Sequence, residues 1–311
     1  MSVKKPPIKV FGEALVEAGA RNPNIVVLSA DSSSGSGLGP FKEKFPERHF
    51  EFGIMEQGII GYASGLATTG KIPFVAAIGP FVTARPFEMF RNDLGYMRQN
   101  VKVVGRCAGM TYSTFGPTHQ SLEDVAIVRT IPGVVVLSPG DPVTIAKATL
   151  AAAEHRGPVY MRIGSPDMPV LHPEDLDFRI GRGVEMLDGP DGTIIGTGMV
   201  LHRAREAVEI LAKQGIKLRL IDIHTIKPLD REIVLRAARE TGRIVTVEEH
   251  YTFGGLGSAV AELLATEHPT PMKILGVNDQ FAGNGPYEEL LGLYGLLGHQ
   301  IAETVRDFLK H

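Results

Sequence analysis

The stretch EFGIMEQGIIGYASGLATTG (residues 51–70) puts a glutamate at the start of an otherwise apolar, glycine-rich helical pattern. At about 100° per residue, Glu56 shares a face with Ile59, Ile60, Ala63 and Ala67, while Gln57, Ser64 and Thr68 fall on a separate side. Periodicity therefore assigns Glu56 to the face that packs on the core. A carboxylate there loses solvation unless a partner compensates it. Position alone allows a first-turn carboxylate on the helix dipole, a structural ion pair, or a bound ligand as that partner.

The totals narrow the field. The chain has 311 residues, a length that suits two domains. It is 43% hydrophobic and 22% charged, as expected of a water-soluble globular protein. A net charge of −3 points away from nucleic acid and from an anionic membrane as partners. No apolar run is long enough to span a bilayer, and MSVKKPPIKVFGEAL (residues 1–15) shows no apolar signal core, so a cytoplasmic location is expected. A single cysteine, Cys107, excludes an internal disulfide framework and a cysteine-cluster metal site.

Around residues 51–70, short β-rich apolar runs alternate with helical patterns. NIVVLSA, IPFVAAIG, VKVVGRCA, GVVVLSP and PVYMRIG read as strands, with helical patterns near 10–20, 56–69, 84–98, 121–131 and 142–155. The runs are continuously apolar, as parallel strands covered on both faces are. GSPDMPVLHPEDLDF (residues 164–178), rich in proline and acid, reads as a linker. Beyond it GTIIGTG, KLRLIDIH, RIVTVEEH and MKILGVN read as strands, with helices near 200–214, 230–241, 256–267 and 300–310. The expected fold is α/β with two domains, residues 1–170 and a smaller 171–311. Ligands of open α/β sheets sit beyond the carboxyl ends of the strands. That rule gathers Asp31, Ile78, Phe81, Cys107 and Arg162 near one edge of the first domain, where Glu56 also opens its helix.

FGIMEQGIIGYASGLATTGKIPFVAAIGPF, FGPTHQSLEDVAIVRTIPGVVVLSPGDP and GPVYMRIG resemble the pyrimidine-binding domain of transketolases. VEEHYTFGGLGSAVAELL resembles the transketolase C-terminal domain. The resemblance covers roughly residues 8–310 and is nearest to the C-terminal subunit of a two-chain, split transketolase. The Gly-Asp-Gly motif of the diphosphate-binding domain is missing, as a split implies. DGPDGT (188–193) lacks the leading glycine and reads as a turn, and GGLGSA (254–259) is not a dinucleotide fingerprint and reads as a helix entry.

The resemblance implies roles. Glu56 would hydrogen-bond a ring nitrogen of the thiamine diphosphate aminopyrimidine, promoting the ylide that attacks a ketose carbonyl; a two-carbon ketol unit then passes to an aldose. Phe81 would stack on that ring, with Ile78 and Asp31 beside the cofactor. Residue types alone leave Phe81 as a core side chain and Asp31 as a turn cap. His119 would contact the substrate hydroxyl and carbonyl and serve in catalysis, and Arg162 would grip a distal phosphate. A lone histidine or a salt-bridged arginine are the plainer alternatives. Two positions depart from the family pattern: Cys107 stands where a phosphate-binding histidine is usual, and Phe115 where an acidic residue reads a substrate hydroxyl. Both are expected among the substrate-binding residues, with a substrate that differs from the ordinary sugar phosphates. Magnesium or calcium and the diphosphate would be held mainly by a companion N-terminal subunit, in an α2β2 assembly. Two other functions compete: the β subunit of a 2-oxo acid dehydrogenase or a deoxyxylulose phosphate synthase-like enzyme, and a non-catalytic interaction module on the same fold.

Overall fold

The computed structural model describes residues 3–310. Its larger sheet has seven strands, in the order Thr225–Lys227, Val135–Leu137, Val159–Ile163, Lys102–Arg106, Ile72–Ile78, Ile25–Ser29 and His49–Glu51. All pair in parallel except Thr225–Lys227, which lies antiparallel at one edge. Parallel pairing explains the unbroken apolar runs, because helices cover both faces. On one face Phe11 and Leu15 of helix Pro7–Arg21 pack with Ile145, Ala148 and Ala152 of helix Pro142–Glu154. On the other, Ile59, Ile60 and Ala63 of helix Glu56–Thr68 join Phe90 and Leu94.

The second sheet runs Met272–Val277, Ile244–Tyr251, Thr193–Gly196, Arg219–Asp222 and Val184–Leu187, parallel but for the last. Helices Leu201–Ala212, Arg231–Thr241, Leu256–Glu267 and Gly298–Leu309 cover it, as the periodicity predicts. Asp230 caps the second of these through the Ile233 N–H, and Gly242 ends it in the left-handed conformation (φ 67°).

The two halves are stitched together. Strand Thr225–Lys227 comes from the second half yet closes the first sheet, and Ile226 is buried in the first half's core. Its three residues are too short to show a period in the sequence. The stretch 164–178 is pinned as well. Asp141 caps helix Pro142–Glu154 with one carboxylate oxygen and accepts the Leu171 and His172 N–H groups with the other. His172 pairs with Asp222 at 2.9 Å, and Phe178 stacks on His224.

Candidate active site

The parallel strands Ile25–Ser29, Ile72–Ile78 and Lys102–Arg106 end at one edge of the sheet, and the first two pack against helix Glu56–Thr68. Gly53 turns the chain there with φ 69°, and Glu56 takes the first helical position, where free N–H groups favour a carboxylate. Glu56 is 7% exposed, and Ile59, Ile60 and Ala63 on its face are fully buried, as the periodicity requires. Ser64 differs from expectation. It is buried because its hydroxyl donates to the Asp93 carbonyl at 3.0 Å.

Glu56 has a protein partner that the sequence did not announce. Arg85 Nη1 donates to Glu56 Oε2 at 2.8 Å, and the Arg85 side chain is 42% exposed. Gln57 steadies the Arg85 backbone, its side-chain amide donating to the Arg85 carbonyl at 3.2 Å. The Arg85 guanidinium lies 4.0 Å from the centre of the Phe81 ring. Phe81 meets His119 edge-on at 5.1 Å between ring centres, and His119 in turn meets Tyr112 at 5.6 Å and Phe115 at 5.0 Å. Tyr112 and Phe115 lie against each other at 4.3 Å. Glu56, Arg85, Phe81, His119, Tyr112 and Phe115 thus form one continuous wall. His119 Nδ1 is hydrogen-bonded to the Thr118 hydroxyl at 2.9 Å, which leaves Nε2 for a ligand. Phe115 is 55% exposed at the rim.

The loop that carries these rings is tied to the second half of the chain. Gly109 and Ser121 bridge its base, and Gly116 turns its tip at φ 71°, against Asn284. Gln120 donates to the Gly283 carbonyl at 2.8 Å. Glu249 accepts the Met110 N–H and the Tyr287 hydroxyl, the latter at 2.6 Å. Burial pushes the Glu249 carboxyl up to about 7, against the hydrogen bonds from Tyr287 and Met110 and the nearby Arg162 charge.

Two expected substrate contacts lie elsewhere. Arg162 is 4% exposed, its Nε lies 3.0 Å from Asp124 Oδ2, and its Nη atoms donate to the carbonyls of Ser121 (2.8 Å) and Glu249 (3.3 Å). Burial opposes its charge, but Asp124 and the neighbouring acids overcome that and raise its pKa. Its Nη atoms are engaged by backbone carbonyls inside the protein, so the resemblance-implied grip on a distal phosphate would need those contacts to give way. The physical reason is its strand: Val159–Ile163 is buried throughout, and a cation there must find partners inside. Cys107 likewise does not line the wall. It is 1% exposed, with φ 60°, and its Sγ accepts from Arg106 Nη1 and Ser165 Oγ, each at 3.2 Å. Ile78 ends its strand, partly buried. Asp31 is exposed at φ 52°, its N–H donating to Glu51 Oε1 at 2.7 Å. Among the described residues no group of three or more His, Cys, Asp or Glu side chains is placed to hold a metal ion. No helix there is long and apolar enough to cross a membrane.

Comparison with known proteins gives this geometry a context. Residues 6–169 match the family described as transketolase, pyrimidine binding domain, and residues 181–301 match transketolase, C-terminal domain. The chain is 41% identical to a putative transketolase C-terminal section of Methanocaldococcus jannaschii, over 97% of this chain and 96% of that one. It is 38% identical to an apulose-4-phosphate transketolase subunit of Phocaeicola vulgatus, over 97% of each chain. It is 37% identical to a 6-deoxy-6-sulfo-D-fructose transketolase subunit of a Clostridium species, over 96% and 92%. Among solved structures it is similar to one described as a split gene transketolase, inactive beta4 tetramer, with a TM-score of 0.92, 41% identity and 98% of both chains covered.

Proposed function

The chain belongs to the transketolase family, as the C-terminal subunit of a split enzyme, and from that premise we propose that it holds the aminopyrimidine end of thiamine diphosphate and one side of the sugar site. The buried Glu56 at its helix start carries this proposal. The residues fit the cofactor: Glu56 Oε2 is held by Arg85, while Oε1 has no protein partner among the described residues and is available to a ring N–H. When bound, thiamine diphosphate supplies the electron sink for cleaving the carbon–carbon bond beside a ketose carbonyl.

The protein's own contribution follows from its side chains. Glu56 accepts a hydrogen bond in a poorly hydrated position, where such a bond is stronger than in water. Phe81 offers an apolar ring to the same ligand, with Arg85 on one face and His119 at its edge. Ile78 and Asp31, at neighbouring strand ends, bound the cofactor on the sheet side. His119, fixed through Nδ1, donates or accepts at Nε2 toward the substrate's hydroxyl and carbonyl. Tyr112 and Phe115 exclude water from the sugar's flank and offer no carboxylate to read a hydroxyl, which favours a deoxygenated, branched or otherwise modified sugar. Two relatives are named for an apulose phosphate and a sulfo-sugar, which supports that choice.

The diphosphate and a magnesium or calcium ion belong to the companion subunit, in an α2β2 assembly set in the cytoplasm. Relatives that match nearly end to end carry transketolase names, which favours this function over a 2-oxo acid dehydrogenase subunit or a non-catalytic module. The test is ketol transfer from hydroxypyruvate to a panel of aldoses by this chain, by the companion, and by the two together. Turnover only by the pair supports the proposal. Lipoyl-dependent decarboxylation instead, or no thiamine diphosphate binding by the pair, overturns it.

A further inference from the structure

His119 stands on a loop whose shape is set by the other half of the chain. The ends of the loop, Gly109 and Ser121, exchange backbone hydrogen bonds at 2.8 and 3.1 Å. Beside them, Met110 and Leu122 are buried in one cluster with Val277, Ala282 and Leu290 of the second half. The tip is held the same way. The Gly285 N–H donates to the Ser113 carbonyl at 3.3 Å, and Gln120 Nε2 donates to the Gly283 carbonyl at 2.8 Å. Both contacts come from segment 278–286, which joins strand Met272–Val277 to helix Tyr287–Leu293.

Within the loop, the position of His119 follows from its backbone. The His119 and Gln120 N–H groups both donate to the Gly116 carbonyl, at 3.0 and 3.1 Å. Gly116 lies at φ 71°, ψ −162°, a conformation open essentially to glycine alone, and it persists only where the surroundings fix it. Asn284 is part of those surroundings: a Cβ on Gly116 would lie 3.2 Å from the Asn284 Cβ. The His119 ring has one side-chain hydrogen bond, to the hydroxyl of adjacent Thr118. That bond moves with the loop, so the backbone decides where Nε2 stands. Gln120, the next residue, is 3% exposed, and its amide crosses to the second half.

We propose that Gln120 is a positioning residue for ketol transfer: by bonding the Gly283 carbonyl it holds His119 in place, and the second half of the chain thereby takes part in the active site. This rests on the transketolase function proposed above and adds to it a task for the C-terminal domain. Misplacing a reacting group by about 1 Å can cost roughly a hundredfold in rate, so one hydrogen bond at this point has leverage.

The test uses the complex with the companion chain. Gln120→Met keeps the length of the side chain and removes the donor, and Gly283 is exposed, so its carbonyl can turn to water. Ketol transfer and thiamine diphosphate affinity are measured for wild type, Gln120→Met, His119→Ala and the double variant. We expect kcat to fall roughly tenfold or more in Gln120→Met, with cofactor affinity unchanged. Adding Gln120→Met to His119→Ala should cause no further fall. A merely structural role gives equal losses in both backgrounds, and that additivity overturns the proposal, as does an unchanged kcat. Asn284→Gly, at an exposed position, loosens the hold on Gly116 without entering the core. The same cycle with Asn284→Gly decides the matter if Gln120→Met folds poorly. Hydrogen–deuterium exchange of the peptide spanning residues 113–121 separates the two levels. Faster exchange at the His119 and Gln120 amides in Gln120→Met, with a wild-type complex that transfers no ketol unit, upholds the anchor and sinks the transketolase function. Exchange that matches wild type overturns the anchor.

Discussion

Arg85 and Glu56 are joined by a 2.8 Å hydrogen-bonded ion pair at the start of helix Glu56–Thr68, and the same guanidinium covers one face of Phe81. The pair is asymmetric: the carboxylate is buried, and the arginine side chain is 42% exposed. Half-exposed pairs of this kind contribute about 1 kcal/mol or less, because water and salt screen them. Replacing Glu56 should therefore leave the fold nearly as stable as before. Chemical denaturation of Glu56→Gln should show a loss of about 1 kcal/mol or less, while ketol transfer by the complex falls roughly a hundredfold or more. A large loss of stability with activity retained would make the ion pair the purpose of Glu56.

The buried Asp124–Arg162 pair should behave in the opposite way. Both side chains are at most 4% exposed, and Tyr160 also donates to Asp124, at 2.6 Å. Arg162→Met strips the charge that compensates Asp124 and frees the carbonyls of Ser121 and Glu249. Breaking one partner of such a pair costs about 3–5 kcal/mol. The expected result is a strongly lowered denaturation midpoint, with loss of activity following loss of fold. A variant as stable as wild type would show that Arg162 is not the clamp its contacts describe.

Glu249 predicts a pH dependence. Its ordinary carboxyl value is 4.5, and burial raises it to about 7 in the folded chain. For an acid with a raised folded value, the unfolded chain gives up its proton first. Stability from this group is therefore complete below about 4.5 and declines as pH rises toward about 7, above which the penalty is constant. Glu249→Gln keeps an acceptor for the Met110 N–H and a polar partner for Tyr287, and has no proton to lose. Urea denaturation across that range should show a shallower fall with pH in the variant than in wild type. Parallel profiles would contradict the assignment.

Phe115 predicts a change in selectivity. Its ring is 55% exposed and touches His119 and Tyr112. Phe115→Asp should cost under about 1 kcal/mol of stability, as exposed substitutions usually do. The new acceptor should shift the kcat/KM preference toward acceptor aldoses that carry a hydroxyl beside the aldehyde. An unchanged aldose ranking would show that Phe115 does not face the sugar.

What could be read in the sequence was whatever repeats or follows a motif. Continuous apolar strands announced both sheets, and the 3.6-residue period put Glu56 on the core face. The GPTHQ loop marked His119. Contacts made between distant segments were not legible. Arg85 lies 29 residues from Glu56, and its role depends on a short helix, Gly79–Val82, that aims the chain back. Strand Thr225–Lys227 is too short for a period, and its place in the first sheet is set by tertiary pairing. The resemblance implies a distal-phosphate grip for Arg162, although a lone cation inside a continuously apolar strand is a sign of an internal partner.

The most direct measurement is a thiamine diphosphate titration, with magnesium present, of the complex between this chain and its companion, wild type against Glu56→Ala, read by calorimetry and by ketol transfer in the same samples. Saturable binding and turnover in the wild-type complex, with turnover lost in Glu56→Ala while the two chains still associate, is the result predicted here. An assembled wild-type complex that binds no cofactor, or a Glu56→Ala complex that turns over as fast as wild type, would contradict it.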